Sequence, residues 1–276
     1  MTTMSNGPVR SPHPAGTGAV EDAGSPLPFV PLSFRDFMLF EDHVTAASRA
    51  IARRYVPRAS RIAAAYELLA RRTFPKFRPP ALWYEQPIYY FGNHLTFVAS
   101  GTPIAAPAYA DALDYELELG FVIDKPLRDA SPEEATAAIA GYVVLNDCSA
   151  RNVQVREMRS GFGPQKSKHF LSSMSSELIP AASIDDPHDL TAGVSLNGAP
   201  ITTTSTRRPR HTIAEALAFA SRGVQLYPGE LFGTGTLPGG SGVESGHLLA
   251  PGDVLELSID RIGTIRHTIT APGEAP

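Results

Sequence analysis

Asp114-Tyr115-Glu116-Leu117-Glu118-Leu119-Gly120-Phe121-Val122-Ile123 is the stretch on which the reading of this chain turns. Its apolar residues alternate, so it reads as a β-strand, in which residues i and i+2 share a face. Glu116 and Glu118 then project together, while Leu117, Leu119 and Phe121 take the other positions. Two neighbouring carboxylates in an otherwise apolar strand repel each other and lose hydration. A bound cation removes both problems, and carboxylate oxygens favour Mg²⁺, Mn²⁺ or Ca²⁺ over Zn²⁺, which prefers His and Cys. The alternative is an exposed sheet edge carrying two solvated glutamates.

A second segment bears on that choice. Gly141-Tyr142-Val143-Val144-Leu145 is an apolar strand that runs into Asn146-Asp147-Cys148-Ser149-Ala150-Arg151. A strand that delivers an aspartate at its C-terminal end can set a ligand at the mouth of a core. Taken alone, Asp147 reads equally as an Asx turn or a helix N-cap.

Around these segments the texture is that of a strand-dominated, mixed α/β chain. Ile88 to Phe91, Leu95 to Val98, Val194 to Leu196 and Val254 to Ile259 read as further strands, the last entering a hairpin near Arg261-Ile262-Gly263. Ser131-Pro132-Glu133-Glu134 and Thr212-Ile213-Ala214-Glu215 open two helices, the second as a capping box. Residues 41–55 and 59–72 form two more, separated at Pro57, which cannot donate to a helix interior. No internal repeat and no second hydrophobic core is expected. Residues 1–28, rich in Gly, Pro, Ser and Thr, cannot bury enough surface to offset their ordering entropy and read as a disordered tail. Residues 29–82 read as a helical, lid-like segment, and residues 83–276 as the strand-rich main domain.

Composition narrows the function. The 276 residues are 43% hydrophobic and 19% charged, with a net charge of -4, which argues against a nucleic-acid surface. The basic clusters Arg53-Arg54, Arg71-Arg72 and Arg207-Arg208-Pro209-Arg210 are short and read as solvated faces. The single cysteine, Cys148, excludes a disulfide within the chain and fits a reducing compartment. No apolar run reaches the ~18 residues of a membrane span, and no secretory h-region opens the chain. A cytoplasmic protein with neither a nucleic-acid nor a membrane partner is expected.

Taken in order, the motifs resemble those of the fumarylacetoacetate hydrolase family. They are Tyr90-Phe91-Gly92-Asn93 through Ser100-Gly101-Thr102-Pro103-Ile104; the E-L-E strand; G-Y-V-V-L-N-D-x-S-A-R-x-x-Q about thirty residues on; Gly163-Pro164-Gln165-Lys166-Ser167-Lys168; and Pro228-Gly229-Glu230 through Thr234-Gly235-Thr236. Asp36 and His43, seven residues apart, match a pair in the larger members. The resemblance covers roughly residues 31–270. It implies a β-roll or distorted barrel with peripheral helices, usually paired as a homodimer. It also implies a divalent cation, Mg²⁺ or else Mn²⁺ or Ca²⁺, on Glu116, Glu118, Asp147 and Asp36.

By the same resemblance His43 is the general base, since histidine can take a proton from water near neutral pH and return it. Lys168 is a cationic stabiliser of an oxyanion or departing carbanion. Gln154 binds substrate or positions water, Thr236 contacts substrate through its hydroxyl, and Arg151 compensates charge beside the acids. Two substrate-binding tyrosines of the true fumarylacetoacetate hydrolases fall on Met38 and Met158 here, which makes the site less polar and points to a different substrate. The arginine that follows their histidine falls on Ala52, beside Arg53 and Arg54. Glu41 and Glu244 are both candidates for the carboxylate that orients His43. The reaction implied is hydrolysis of a carbon–carbon bond in a 1,3-diketo acid or acylpyruvate, so the partner is a small carboxylic acid. Decarboxylation or isomerisation of a 2-oxo or 2-hydroxydienoic acid is the nearest alternative. A non-catalytic cation-binding scaffold is the alternative of another class.

Overall fold

A computed structural model describes residues 27–272. The tail expected over residues 1–28 lies outside the described residues except for its last two. The strand Leu117–Ile123 sits in the middle of an eight-stranded mixed sheet, curled into a half-barrel. On one side it pairs with Leu231–Gly233, then Phe34–Phe37, then Tyr89–Gly92. On the other it pairs with Ile139–Asn146, then Ser172–Met174 and Phe97–Ala99, and Ile179–Pro180 adds to Ile139–Asn146. A five-stranded sheet runs in the order Ala199–Ser205, Thr191–Leu196, Val254–Ile259, Gly263–Thr270, Ile104–Ala105.

The period of two sorts the central strand as its sequence requires. Leu117, Leu119, Phe121 and Ile123 enter the main core, together with Val144 from the facing strand and Leu255, Leu257 and Ile265 from the second sheet. Glu118 and Gly120 lie on the other face, opposite Leu145 and Val143. That face is not bare. Phe34, Phe97, Val143, Leu145, Met174 and Leu231 form a smaller second cluster there, which corrects the expectation of a single core. The reason is that the sheet curls, so its acidic face is enclosed as well and needs apolar cover beyond the acids.

The helices follow their end signals. Ser131 and Thr212 cap Pro132–Ala137 and Ile213–Ser221 through reciprocal capping boxes. Glu41–Tyr55 and Pro57–Ala70 are separated at Val56, with Pro57 at the first position of the second helix. The hairpin turns through Asp260–Ile262, where Arg261 takes a left-handed φ of 65°. Two local readings change. Leu95 belongs to a 3-10 turn, His94–Thr96, capped by the Asn93 side chain, and the strand begins only at Phe97. Arg151–Met158 is a helix, which the sequence did not announce because it has neither an N-cap side chain nor an apolar stripe.

Candidate active site

Three of the four expected cation ligands converge. One carboxylate oxygen each from Asp36, Glu118 and Asp147 lies within 4.8 Å of the others, and all three residues are buried. The sheet register brings them together. Asp36 pairs with Gly233, and Gly233 pairs with Gly120, two residues beyond Glu118. Asp147 follows the end of the neighbouring strand. The two carboxylates from either side meet over Gly233. A Cβ there would lie 2.5 Å from Asp36 Oδ1 and 2.6 Å from Glu118 Oε2, so only glycine leaves them room.

These same two oxygens, Asp36 Oδ1 and Glu118 Oε2, are buried with no hydrogen-bond donor among the described residues. Burial pushes the Asp36 carboxyl well above its ordinary range, and the Asp147 charge adds to this. Burial does the same to Glu118, reinforced by Asp36 and Asp147. A buried pair of oxygens with no donor needs either a proton held between them or a cation. Hard oxygen donors converging from three carboxylates fit a divalent ion such as Mg²⁺, Mn²⁺ or Ca²⁺.

Glu116 has a different setting. It precedes the strand proper, at an isolated bridge to Ser241, and both its oxygens face cations. Arg151 Nη2 donates to Oε1 at 2.6 Å and Lys168 Nζ donates to Oε2. Burial alone would raise this carboxyl, but Arg151, Lys168 and His43 together hold it below the ordinary carboxylate range. Lys168 Nζ also donates to Asp147 Oδ2 at 2.6 Å, so one ammonium joins Glu116 to the acidic triad. Burial would lower the Lys168 ammonium; Asp147 and Glu116 overcome this and raise it, so it stays charged.

Arg151 is fully engaged, donating from Nε to Asp114 Oδ2 at 2.7 Å and from Nη1 to Gln154 Oε1 at 2.8 Å. Gln154 is thereby fixed by the residue one helical turn before it. Thr236 Oγ1 donates to Glu118 Oε1 at 3.5 Å and is buried. Two site residues were not singled out in the sequence. The Tyr90 hydroxyl donates to Asp147 Oδ2 at 2.6 Å. Asp114 accepts from Arg151 and from the amides of Gly242 and Val243, fixing the turn that carries Glu244. A tyrosine beside the G-N motif and an acid beside E-L-E were the only signals for them.

That turn decides between the two candidates for the partner of His43. His43 is the third residue of the helix Glu41–Tyr55 and is buried. Its Nδ1 lies 2.8 Å from Glu244 Oε2, and Glu244 is itself held by Ser241 Oγ at 2.7 Å and by the Gly239 amide at 3.0 Å. With Nδ1–H directed to a carboxylate, Nε2 keeps its lone pair. Glu41 instead accepts from the Tyr84 hydroxyl and lies 4.0 Å from Arg78, so it is not the orienting group. Met38, whose carbonyl accepts from Trp83 Nε1 at 2.5 Å, and Met158, at the end of its helix, are both exposed.

The site is thus an enclosed acidic triad on a curled sheet, whose carboxylates are placed to hold a cation, flanked by a Lys–Glu–Arg network and a His–Glu pair. The chain matches the fumarylacetoacetate (FAA) hydrolase C-terminal family over residues 59–270 and belongs to that family. It is 34% identical over 159 residues to the 2,4-didehydro-3-deoxy-L-rhamnonate hydrolase of Sphingomonas sp. (strain SKA58), a match covering 57% of this chain and 55% of that one. It is 30% identical over 186 residues to the mitochondrial oxaloacetate tautomerase of Xenopus laevis, covering 67% of this chain and 58% of the other. The matches span little more than half the length of these relatives. Among solved structures, the fumarylacetoacetate hydrolase of Exiguobacterium antarcticum shares the fold, with a TM-score of 0.67 at 23% identity, over 89% of this chain and 78% of that one.

Proposed function

We propose that the chain is a metal-assisted hydrolase that cleaves a carbon–carbon bond in a 1,3-diketo acid of the acylpyruvate type. The observation that carries this reading is the His43–Glu244 pair, 2.8 Å apart with both side chains largely buried, in a chain that also encloses three converging carboxylates. Isomerising or decarboxylating a dienoic acid requires no activated water, whereas cleaving a diketone does. A Mg²⁺ or Mn²⁺ held by Asp36, Glu118 and Asp147 would supply Lewis-acid polarisation of the two substrate oxygens.

The protein's own groups divide the remaining work. Glu244 holds the His43 ring so that Nε2 can remove a proton from water as the oxygen adds to the distal carbonyl carbon. Lys168 Nζ stabilises the oxyanion that forms there. The carbon–carbon bond then breaks, its electron pair leaves as the enolate of the 2-oxo acid, and the proton on His43 returns to that carbon. The products are a carboxylic acid and a 2-oxo acid, and the balance requires one water. Met38 and Met158 give the distal acyl group an apolar and adaptable neighbourhood.

The assay is loss of the ultraviolet band of an enolised acylpyruvate, with Mg²⁺ and with EDTA, and with products identified by NMR. Two acids formed only with metal, and lost in His43→Ala, are the expected result. Release of CO₂, or keto–enol exchange without cleavage, transfers the assignment to the decarboxylase or tautomerase chemistry that names other members of the family.

A further inference from the structure

Residues 49–78 carry nine basic side chains and one acid, in a chain that totals 24 Lys and Arg against 28 Asp and Glu. Read separately, the pairs Arg53-Arg54 and Arg71-Arg72 are ordinary solvated charge. The fold brings them to the two ends of the helix Pro57–Ala70, Arg53-Arg54 in the last turn of the helix before it and Arg71-Arg72 just past its C-terminus, with Arg58 and Arg61 between.

This helix rests on the helix Glu41–Tyr55, and Arg49 clamps its lone acid. Arg49 Nε reaches both oxygens of Glu67 at 3.1 Å, and Nη2 reaches Oε1 at 2.9 Å. Glu67 is thereby spent on the inner side, and Ala63 is the only buried residue of the helix. The outer side bears two adjoining rows at helical spacing: Arg58, Ile62, Ala65 and Leu69, and Arg61, Ala65 and Leu68. Ile62 is 70% exposed, Leu68 79% and Leu69 84%. Among the described residues, Arg58, Arg61, Arg71 and Arg72 have no acidic partner.

We infer that this face is a docking surface for an anionic phospholipid bilayer, on which the helix lies in the plane of the headgroups. The three aliphatic side chains enter the acyl boundary, and the flanking arginines meet lipid phosphates. Charge selects this occupant over two others. In a symmetric pair of copies the patch would face itself, enclosing Arg58, Arg61 and their images in one seam whose lone acid, Glu67, is already held by Arg49. Single-stranded nucleic acid would satisfy the charge, but the exposed apolar residues are aliphatic, with no aromatic platform for bases. The expectation of no membrane partner rested on the lack of a spanning run, and no helix among the described residues is long and apolar enough to cross a membrane. A helix lying in the interface needs neither.

Co-sedimentation of the full chain with vesicles tests the inference. One set is phosphatidylcholine alone, the other an equal mixture of phosphatidylcholine and phosphatidylglycerol. Binding to the anionic set only is expected, with release in 1 M salt, where screening shortens to ~3 Å. Each arginine near such a surface is worth about fivefold in partitioning, so Arg58→Glu with Arg61→Glu should lower it at least about 25-fold. Leu68→Ser with Leu69→Ser should lower it at least about tenfold, the lower bound for two half-inserted leucines. All four positions are exposed, and an unchanged circular dichroism spectrum checks the fold of both variants. Failure to pellet with anionic vesicles overturns the inference. So does equal binding by the Leu68/Leu69 variant, which would mean that no side chain inserts. Retention of a single-stranded RNA oligomer in place of vesicles also overturns it, as does a dimer that dissociates in either variant.

Discussion

Gly233→Ala should abolish tight cation binding without unfolding the protein. The backbone at Gly233 is not left-handed, so alanine meets no conformational barrier there. The added methyl, however, falls 2.5 Å from Asp36 Oδ1 and 2.6 Å from Glu118 Oε2, where ordinary contact begins at 3.4 Å. Each carboxylate must therefore retreat by about 0.8–0.9 Å, whereas metal–ligand distances tolerate only about 0.2 Å. Overpacking of this size costs roughly 1–3 kcal/mol, against about 0.5–1 kcal/mol gained by removing a strand glycine, so the net loss of stability is small. Loss of ligand geometry is the larger effect. Mn²⁺ affinity, measured by calorimetry and by the electron paramagnetic resonance signal of free Mn²⁺, should fall by more than the ~10–100-fold typical of outer-sphere changes. Wild-type Mn²⁺ affinity in a folded Gly233→Ala protein would refute the assignment of Asp36 and Glu118 as joint ligands.

The remaining predictions concern the groups around that centre. Glu244→Gln and His43→Ala should each lower turnover of a cleaved acylpyruvate, the latter by ~10²–10⁴-fold, with Mn²⁺ affinity near wild type; a weakened metal would put His43 on the cation instead. Lys168→Met leaves Asp147 without its cation and Glu116 with Arg151 alone, and should cost ~3–5 kcal/mol in urea unfolding; a loss below about 1 kcal/mol would show the network to be solvated. His267 is buried between the Thr102 carbonyl at 2.7 Å and Ser173 Oγ at 2.8 Å, and burial lowers its pKa. A lowered pKa favours the neutral ring in the folded state, so its stabilisation is complete above the unfolded value of about 6.5 and fades as pH falls below it. The stability gap between wild type and His267→Asn should therefore narrow from pH 8 to pH 5, and a constant gap would sink this reading.

Much of this was legible in the sequence because it rests on local periodicity. Alternation along Leu117–Ile123 sends Leu117, Leu119 and Phe121 to the core, and the capping residues at Ser131 and Thr212 open the helices where expected. What was not legible depends on contacts across long separations. Alternation alone makes Glu116 and Glu118 equivalent; they differ because Arg151 and Lys168 arrive at Glu116 from a later helix and turn. Glu41, two residues from His43, is the natural local choice of partner. A helix turns neighbouring side chains apart by about 100° each, and the partner is Glu244, two hundred residues on, because Asp114 ties its turn to the sheet. The glycine at 233 gave no signal beyond membership of a motif, since its meaning lies in the two oxygens above it.

The charges of the site explain why one glutamate of the E-L-E strand cannot replace the other. Asp36, Asp114, Glu116, Glu118 and Asp147 are all buried, and among the described residues only Lys168 and Arg151 face them as permanent cations. Both cations are committed. Arg151 spans Asp114 and Glu116, and Lys168 spans Glu116 and Asp147. Glu116 thus serves as the anchor that keeps two cations in an apolar interior, while Asp36 and Glu118 are left without one. If Lys168 moved to Glu118, the orphaned oxygens would be satisfied and the pocket would close on itself as a structural ion pair. Because Glu116 holds Lys168 back, the deficit of positive charge stays on Asp36 and Glu118, where an incoming dication can meet it. The ammonium, held beside Asp147, is left next to that position, where the proposed reaction has it meet the substrate's developing charge.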